Sequence, residues 1–286
     1  MSNERLRDPL LALYRTAVDA AHPRLCLPPH LPPVPDKGRI IVIGAGKANA
    51  AMAIATEAHY AGQPGGERVS GFVTTRHGFA LPTRRLEIIE AAHPVPDQNS
   101  VEGAARAIAA AKGAGADELV LVLLSGGASA LWSQPVEGVS FAAKQALTKQ
   151  LLRAGAPIGD MNIVRKHVSR IKGGKLAAAA HPARLLTLAI SDVPGDQPTS
   201  IGSGPTVADP TTLADARAVL IRHRIEAPAS VLAALANPVN ESIKLQDARL
   251  MRSVYKLIAG PDIALAAVSA ALQTMGYEVL NLGGRL

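Results

Sequence analysis

The chain has 286 residues and a formal net charge of +7, which can attract anionic partners. Only 3% of its residues are aromatic, and this low content argues against a nucleic-acid surface built on base stacking. It has no basic tail, no apolar stretch of membrane-spanning length and a single cysteine, Cys26, which excludes an intrachain disulfide. These features predict a cytoplasmic protein that binds small anions and neither nucleic acid nor membranes.

Apolar runs and turn residues predict helices and strands that alternate along the chain. An amphipathic helix capped at Asp8 comes first, followed by a proline-rich connector at 23–36. A strand at 39–43 then leads into a glycine turn and a helix that ends near Tyr60. The further predicted strands are 69–75, 86–91, 118–124, 184–190, 253–258 and 278–282. The further predicted helices are 99–112, 141–154, 162–180, 213–223, 229–236 and 262–275.

Apolar strands that alternate with helices predict parallel βαβ units in which helices cover both faces of the sheet. We expect an α/β fold, a three-layer α/β/α sandwich with a mostly parallel, Rossmann-like sheet, in residues 1–240. Residues 241–286 would begin a second α/β domain. Because the sequence stops at Leu286, directly after a predicted strand, we expect an incomplete polypeptide; a natural edge strand is the alternative.

The first candidate site loop is the turn 44–47 after the first strand. Its glycines, Gly44 and Gly46, would let backbone N–H groups approach a phosphate at the start of a helix. The turn fits neither a Walker A loop nor a dinucleotide fingerprint, because Asn49 stands where the latter needs a third glycine. Lys47 would oppose the helix dipole unless it binds an anion; the alternative is a solvated surface lysine.

The second candidate loop follows the most apolar strand of the chain. Small residues and hydroxyl groups at the start of a helix suit phosphate oxygens. The alternative is that a serine only caps the helix, although a cap does not require two adjacent glycines. The residues of this loop are Ser125, Gly126, Gly127, Ala128 and Ser129.

The third candidate loop carries Asp192 and Asp196, four residues apart after a buried strand. These carboxylates could hold Mg²⁺, and one could accept a proton from a substrate hydroxyl; turn and capping roles are the alternative. The following stretch, with Gly204 and Thr206, could wrap a phosphate. Lys172 lies in a cation-rich segment that could clamp a carboxylate or phosphate, or be a solvated helix face.

Ligands of open α/β sheets bind beyond the carboxyl ends of the strands. We therefore expect Lys47, the 125–129 loop and Asp192 to converge in one pocket with the dimensions of a phosphoryl group. His93 lies in a proline-rich loop, has no assignable partner, and is interpreted as structural.

Five segments, in their order and spacing, resemble the glycerate 2-kinase family with the MOFRL C-terminal domain. They are 42–48, 93–97, 124–131, 165–176 and 191–206. The resemblance implies transfer of the ATP γ-phosphoryl group to D-glycerate, with Mg²⁺. It implies that Lys47 lies near the transferred phosphate, that Asp192 is a metal ligand or base, that 125–129 cradles phosphates or substrate, and that Lys172 neutralises charge.

Two other functions stay open at this stage. The strand, turn and helix around Gly44 also suit an NAD(P)H-dependent hydroxypyruvate reductase, in which Arg76 would receive a 2′-phosphate. The early terminus suits a non-catalytic fragment that binds an anion. A nucleotide and a hydroxy acid are the expected partners, and the choice between a monomer and a homodimer is left open.

Overall fold

The computed structural model describes residues 3–284, which form one six-stranded sheet with helices on both faces. The strands are β1 (Ile40–Ala45), β2 (Val69–Arg76), β3 (Leu86–Ala91), β4 (Leu119–Leu124), β5 (Arg184–Ile190) and β6 (Ser253–Ala259). The helices are α1 (Asn3–Ala21), α2 (Pro23–Cys26), α3 (Asn49–Tyr60), α4 (Gln98–Lys112), α5 (Ala128–Leu131), α6 (Phe141–Arg153), α7 (Ile158–His167), α8 (Lys175–Ala180), α9 (Leu213–Arg222), α10 (Ala229–Ala236) and α11 (Pro261–Thr274).

Both faces of the sheet are buried, as the apolar strands predict. Along β4, Val120 and Val122 contact the core formed with α4 and α8, whereas Leu121 and Leu123 contact the opposite core, formed with α3. This alternation follows from the two-residue period of a strand, and it requires apolar residues at every position of β4. A third cluster joins α6, α7, α9 and α10 beside the sheet.

The strand order is β3-β2-β1-β4-β5-β6, and all neighbouring strands are parallel. The chain moves outward from β1 to β3 on one side and from β4 to β6 on the other. The loops after the adjacent strands β1 and β4 therefore diverge and leave a crevice at the carboxyl edge. The predicted α/β sandwich with a parallel, Rossmann-like sheet is confirmed. None of the helices in residues 3–284 has the length and apolar composition of a bilayer span.

The predicted helix 162–180 is wrong as a single helix. It is split into α7, which ends at His167, and α8, which begins at Lys175. Gly173 and Gly174 lie between them with φ of +59° and +79°, a left-handed conformation that ends one helix and starts the next in another direction. This break brings Lys172 into the interior of the protein.

Other element boundaries differ from the sequence prediction. Helix α1 begins at Asn3 and contains Pro9, so Asp8 is not its cap. The cap of α4 is Asp97, which forms a capping box with Ser100. Residues 278–282 form no strand, since this largely exposed segment has no neighbouring strand in the described part of the chain. Residues 285–286, at the end of the expected incomplete polypeptide, lie outside the described residues.

The predicted domain boundary after Asn240 stays a prediction. Strand β6, which belongs to the proposed second unit, pairs with β5 in the same sheet as the strands before it.

Candidate active site

Lys47 and Asp192 form an ion pair above the carboxyl edge of the sheet. The Lys47 Nζ atom donates to Asp192 Oδ2 at 2.7 Å, and the two side chains are 41% and 48% exposed. Lys47 follows β1 and Asp192 follows β5, so the pair spans the crevice over β4. A charged pair that is this open to solvent is accessible to a ligand.

The turn after β1 and the loop after β4 are joined by hydrogen bonds. The Lys47 amide donates to the Gly126 carbonyl at 2.8 Å, and the Ala48 amide donates to Ser125 Oγ at 3.0 Å. Ser125 Oγ in turn donates to Asn49 Oδ1 at 2.8 Å. The Ser125 hydroxyl is thus buried and engaged within the protein, so it positions the two loops and is not free to contact a phosphate.

The glycines of the first turn allow this close approach of the loops. Gly44 lies within β1, where a side chain would overlap Asn49, and Gly46 lies against the Ser125 hydroxyl. Helix α3 begins at Asn49, so Lys47 precedes the helix and does not lie in its first turn, contrary to the prediction. The helix dipole therefore does not by itself explain the position of this lysine.

Two glycines of the 125–129 loop bring the loop against the charged pair. A β-carbon on Gly126 would overlap the Asp192 carboxylate. A β-carbon on Gly127 would lie 3.0 Å from the His93 ring and 3.2 Å from Lys47 Cγ. Helix α5, which follows, has only four residues and starts at the buried Ala128, so the loop leads into a single helical turn.

His93 belongs to this site, although the sequence analysis interpreted it as structural. His93 lies in the loop after β3, and its ring lies beside Gly127. Partial burial, and then the positive charges of Lys47 and Arg76, lower the pKa of His93. This shift favours the neutral form of the ring. The signal in the sequence was the rigid loop 93–97 at the end of a parallel strand.

Lys172 is almost completely buried below the 125–129 loop. Its Nζ atom donates to the Ser129 carbonyl at 2.8 Å and to the Ser129 hydroxyl at 3.1 Å. The Ser129 hydroxyl also shares a hydrogen bond of 2.9 Å with Ser203. The alternative of a solvated helix face is excluded for Lys172, whose ammonium group is held in the interior behind Ser129.

Residues 202–206 pack against Ala128 and against the connection between α7 and α8. The Gly204 carbonyl accepts from the Gly174 amide at 2.7 Å, and Gly202 lies against Ala128. Thr206 is buried, and its hydroxyl accepts from Thr187 at 2.8 Å. Because these groups are engaged within the protein, the structure does not bring Gly204 or Thr206 into the crevice.

Asp192 and Asp196 do not face a common point. Asp196 has a φ of +52° and directs its carboxylate toward Gly260, at the start of α11. Its Oδ1 atom is buried and has no hydrogen-bond partner within residues 3–284. No cluster of three or more histidine, cysteine, aspartate or glutamate side chains occurs in that part of the chain. Asp192 alone is placed to contribute one carboxylate to a metal in the crevice.

A cavity of about 460 Å³ extends from the crevice toward α6. Gly127, Ser129 and His93 line its rim, and Lys172 lines its interior together with Lys144 and Arg165. Neither Lys144 nor Arg165 was predicted from the sequence to be a site residue. The available signal was that Lys144 shares a helix face with the buried Leu147 and Leu151, where a lysine is unusual.

The chain matches a family described as a domain of unknown function, DUF4147, over residues 9–236. It is 47% identical over 280 residues to an Agrobacterium vitis protein that is named, provisionally, as a hydroxypyruvate reductase. It is 38% identical over 249 residues to the glycerate 2-kinase of Pyrococcus horikoshii. These alignments cover 98% and 85% of this chain, but 62% and 54% of the respective relatives.

Among solved structures, the fold is similar to the crystal structure of a glycerate kinase from Thermotoga maritima. The TM-score is 0.85 at 33% sequence identity, and the match covers 96% of this chain and 64% of the other. The chain therefore spans less than two thirds of the length of these relatives.

Proposed function

This chain belongs to the DUF4147 family, its relatives include glycerate kinases, and we propose that it transfers the γ-phosphoryl group of ATP to the 2-hydroxyl of D-glycerate. The product would be 2-phosphoglycerate. The observation that carries the proposal is the Lys47–Asp192 pair, held against the Gly126–Gly127 loop at the carboxyl edge of a parallel sheet.

The pair supplies the two charges that phosphoryl transfer requires. Lys47 would neutralise the negative charge of the transferred phosphoryl group. Asp192 binds Lys47 through Oδ2, and no hydrogen bond to its Oδ1 occurs within the described residues. Oδ1 can therefore accept the proton of the 2-hydroxyl as the hydroxyl oxygen attacks the γ-phosphorus and the bond to the β–γ bridging oxygen breaks.

The site suits Mg²⁺ delivered with ATP. Magnesium in kinases is usually bound by one or two carboxylates together with substrate phosphates and water, and Asp192 is an exposed carboxylate in the crevice. When bound, the ion would neutralise phosphate charge. Asp196 does not support the second ligand role predicted for it, because its carboxylate faces Gly260.

The neighbouring loop would position the reactants. Gly126 and Gly127 let the backbone of this loop lie directly against Asp192 and Lys47, so that these two positions place no side chain between a phosphate and the charged pair. We also propose a cytoplasmic location, and the MOFRL designation stays a prediction.

The direct test is the reaction of the purified chain with D-glycerate, ATP and MgCl₂, with the product identified by ³¹P NMR. We expect 2-phosphoglycerate and ADP in equal amounts, and much slower formation of both by the Lys47→Met variant. Absence of phosphoglycerate with the unmodified chain would contradict the proposal.

A hydroxypyruvate reductase is the second candidate, favoured by the Rossmann-like strand order and by the name of the Agrobacterium vitis relative. Arg76 is the residue predicted to bind the 2′-phosphate of the nucleotide. Its guanidinium group lies 3.6 Å from the centre of the Phe79 ring. Oxidation of NADH or NADPH by hydroxypyruvate in the presence of the chain would support this candidate, and unchanged absorbance at 340 nm would remove it.

A further inference from the structure

The cavity beside the crevice has an unusual charge. Lys144, Lys149, Arg165 and Lys172 line it, and in the part of the chain that the structure describes no aspartate or glutamate lines it. Its remaining walls are largely apolar and include Val95 and Phe141, which come from distant parts of the sequence. A volume of about 460 Å³ is sufficient for a small organic acid.

Lys144 is the only lysine of residues 7–284 whose Nζ atom is buried without a hydrogen-bond partner. The side chain is 5% exposed, on the inner face of α6. The buried Lys166 pairs with Asp209 at 2.9 Å, and the partly buried Lys175 donates to three backbone carbonyls. A buried ammonium group without a partner is costly, which indicates that its partner is a ligand.

The two neighbouring cations, Arg165 and Lys172, also lack carboxylate partners among the described residues. Arg165 makes one long hydrogen bond of 3.4 Å, to Asn162 Oδ1, and Lys172 donates to Ser129 and Gly202. Arg165 lies in α7, Lys172 in the connection after α7 and Lys144 in α6, and the three are close enough for their charges to affect one another. A single anion between them would offset the mutual repulsion of the three groups.

The position of the cavity relates this anion to the phosphoryl-transfer site. Gly127 lines the cavity, and a β-carbon placed on this glycine would lie 3.2 Å from Lys47 Cγ. In a 2-hydroxy acid, the hydroxyl is carried by the carbon next to the carboxylate. An acid whose carboxylate lies among the cations can therefore place its hydroxyl toward Gly127, which adjoins Lys47.

We propose that Lys144, Arg165 and Lys172 bind the carboxylate of the 2-hydroxy acid acceptor, so that the acceptor occupies the α6 side of the crevice and ATP the other. This assignment rests on the proposed kinase function for the identity of the acid. It makes the three cations determinants of specificity for acids over uncharged alcohols.

The test compares the Lys144→Met variant with the unmodified chain. Methionine keeps the length of the lysine side chain but removes the charge. The dissociation constant for D-glycerate, measured by isothermal titration calorimetry, should rise about 10- to 100-fold, the loss expected for one charge-assisted hydrogen bond. The Michaelis constant for D-glycerate should rise similarly, whereas that for ATP should not change. Lys112→Met, at an exposed position at the end of α4, is the matched control and should leave both constants unchanged.

A second ligand separates carboxylate recognition from a general disturbance of the cavity. D-glyceramide has the same shape as glycerate but no charge, and it should bind the unmodified chain and Lys144→Met equally weakly. Since the variant removes an unpaired buried charge, its melting temperature should equal or exceed that of the unmodified chain, which establishes that it folds.

The outcomes distinguish the inference from the function on which it rests. Unchanged glycerate affinity in a folded Lys144→Met variant, or a rise in the Michaelis constant for ATP alone, would overturn the inference while leaving the kinase proposal intact. Glycerate binding that depends on Lys144 in a chain that forms no phosphoglycerate would support the carboxylate site and refute the kinase.

Discussion

At the scale of single residues, three lysines of this protein differ in burial and pairing. Lys47 is paired but half exposed, Lys166 is paired and buried, and Lys144 is buried and unpaired. An exposed ion pair contributes about 0–1 kcal/mol to stability, whereas a buried charge without a partner lowers it. The environment of each lysine therefore determines whether its removal affects activity, stability or ligand binding.

Replacement of Lys47 should affect catalysis and not folding. We expect Lys47→Met to lower kcat/KM for glycerate by about 10²- to 10³-fold, the usual effect of removing a group that stabilises transition-state charge. The melting temperature should change by no more than about 2 °C, since the ion pair is exposed. Lys37→Met, at an exposed position before β1, should leave both quantities unchanged. An unchanged kcat/KM for glycerate in the Lys47→Met variant would contradict the assigned role of Lys47.

The pH dependence of stability should reveal the buried charge of Lys144. Burial, and then the positive charges of Arg165 and Lys175, lower the pKa of Lys144 to about 7. Below pH 7 the folded protein holds a buried ammonium ion. Above pH 7 the folded state releases the proton while the unfolded chain keeps it up to about pH 10.5, so the penalty decreases as the pH rises.

Lys144→Met should therefore raise the melting temperature more at pH 6 than at pH 9. The penalty below pH 7 is on the order of a few kcal/mol, from about 1.4 kcal/mol per pKa unit. The measurement is calorimetric melting in buffers without polyanions, with Lys112→Met as the control. The charged or titratable groups near Lys144 are Lys149 on its own helix, Arg165, Lys172, Lys175 and, across the cavity, His93. An equal gain at both pH values would contradict the assigned charge state.

At the scale of elements, the loops at the carboxyl edge depend on close backbone contacts. The turn after β1 binds the loop after β4 through the Lys47 amide and Ser125, and Gly126 allows Asp192 to approach. The loops thus form one unit although they come from three strands. A side chain at their contacts should displace a functional group before it unfolds the protein.

Gly126→Ala should lower kcat through displacement of Asp192. The added methyl group would overlap the Asp192 carboxylate, which is 48% exposed and can move toward solvent, so that the ion pair with Lys47 is lost. We expect kcat to fall about 10- to 100-fold, as for a small misplacement of a catalytic group. Gly159→Ala, in α7 with open space around the position, is the control and should be neutral or slightly stabilising. Full activity of Gly126→Ala would exclude Asp192 as the base.

At the scale of the whole molecule, the parallel sheet determines where the site lies. The order β3-β2-β1-β4-β5-β6 places the loops after β1 and β4 side by side and the loop after β5 next to them. Residues separated by more than a hundred positions, such as Lys47 and Asp192, therefore meet. The same sheet includes β6, so the segment after Asn240 is joined to the preceding domain by backbone hydrogen bonds.

We expect the chain to unfold in one transition that includes β6. Trp132, the single tryptophan, is buried in the core shared by β1, β4 and β5, and its fluorescence should change together with the far-UV circular dichroism during urea unfolding. Amide exchange in peptides spanning 253–259 should follow the same denaturant dependence as in those spanning 184–190. An earlier transition confined to residues 241–284 would instead favour the predicted separate second unit.

The sequence by itself determined the elements with strong local signals. The uninterrupted apolar run of β4 predicted a fully buried parallel strand, and the glycine turns at 44–47 and 125–129 predicted loops at strand ends. From these and from Asp192, the convergence of Lys47, Gly126 and Asp192 could be predicted, because parallel strands present their carboxyl ends at one edge. The sequence pattern of strands and turns is sufficient for these residues, because the geometry of a parallel sheet determines which loops are neighbours.

Only the tertiary structure decided which polar groups are available to a ligand. Ser125 and Thr206 have suitable hydroxyls, but both are engaged within the protein, and Asp196 faces away from Asp192. Lys144, Arg165 and Lys172 line one cavity because α6 packs beside α7 and α10 and because α7 ends before Lys172. Side-chain burial and pairing depend on contacts between distant segments, and no local pattern specifies them.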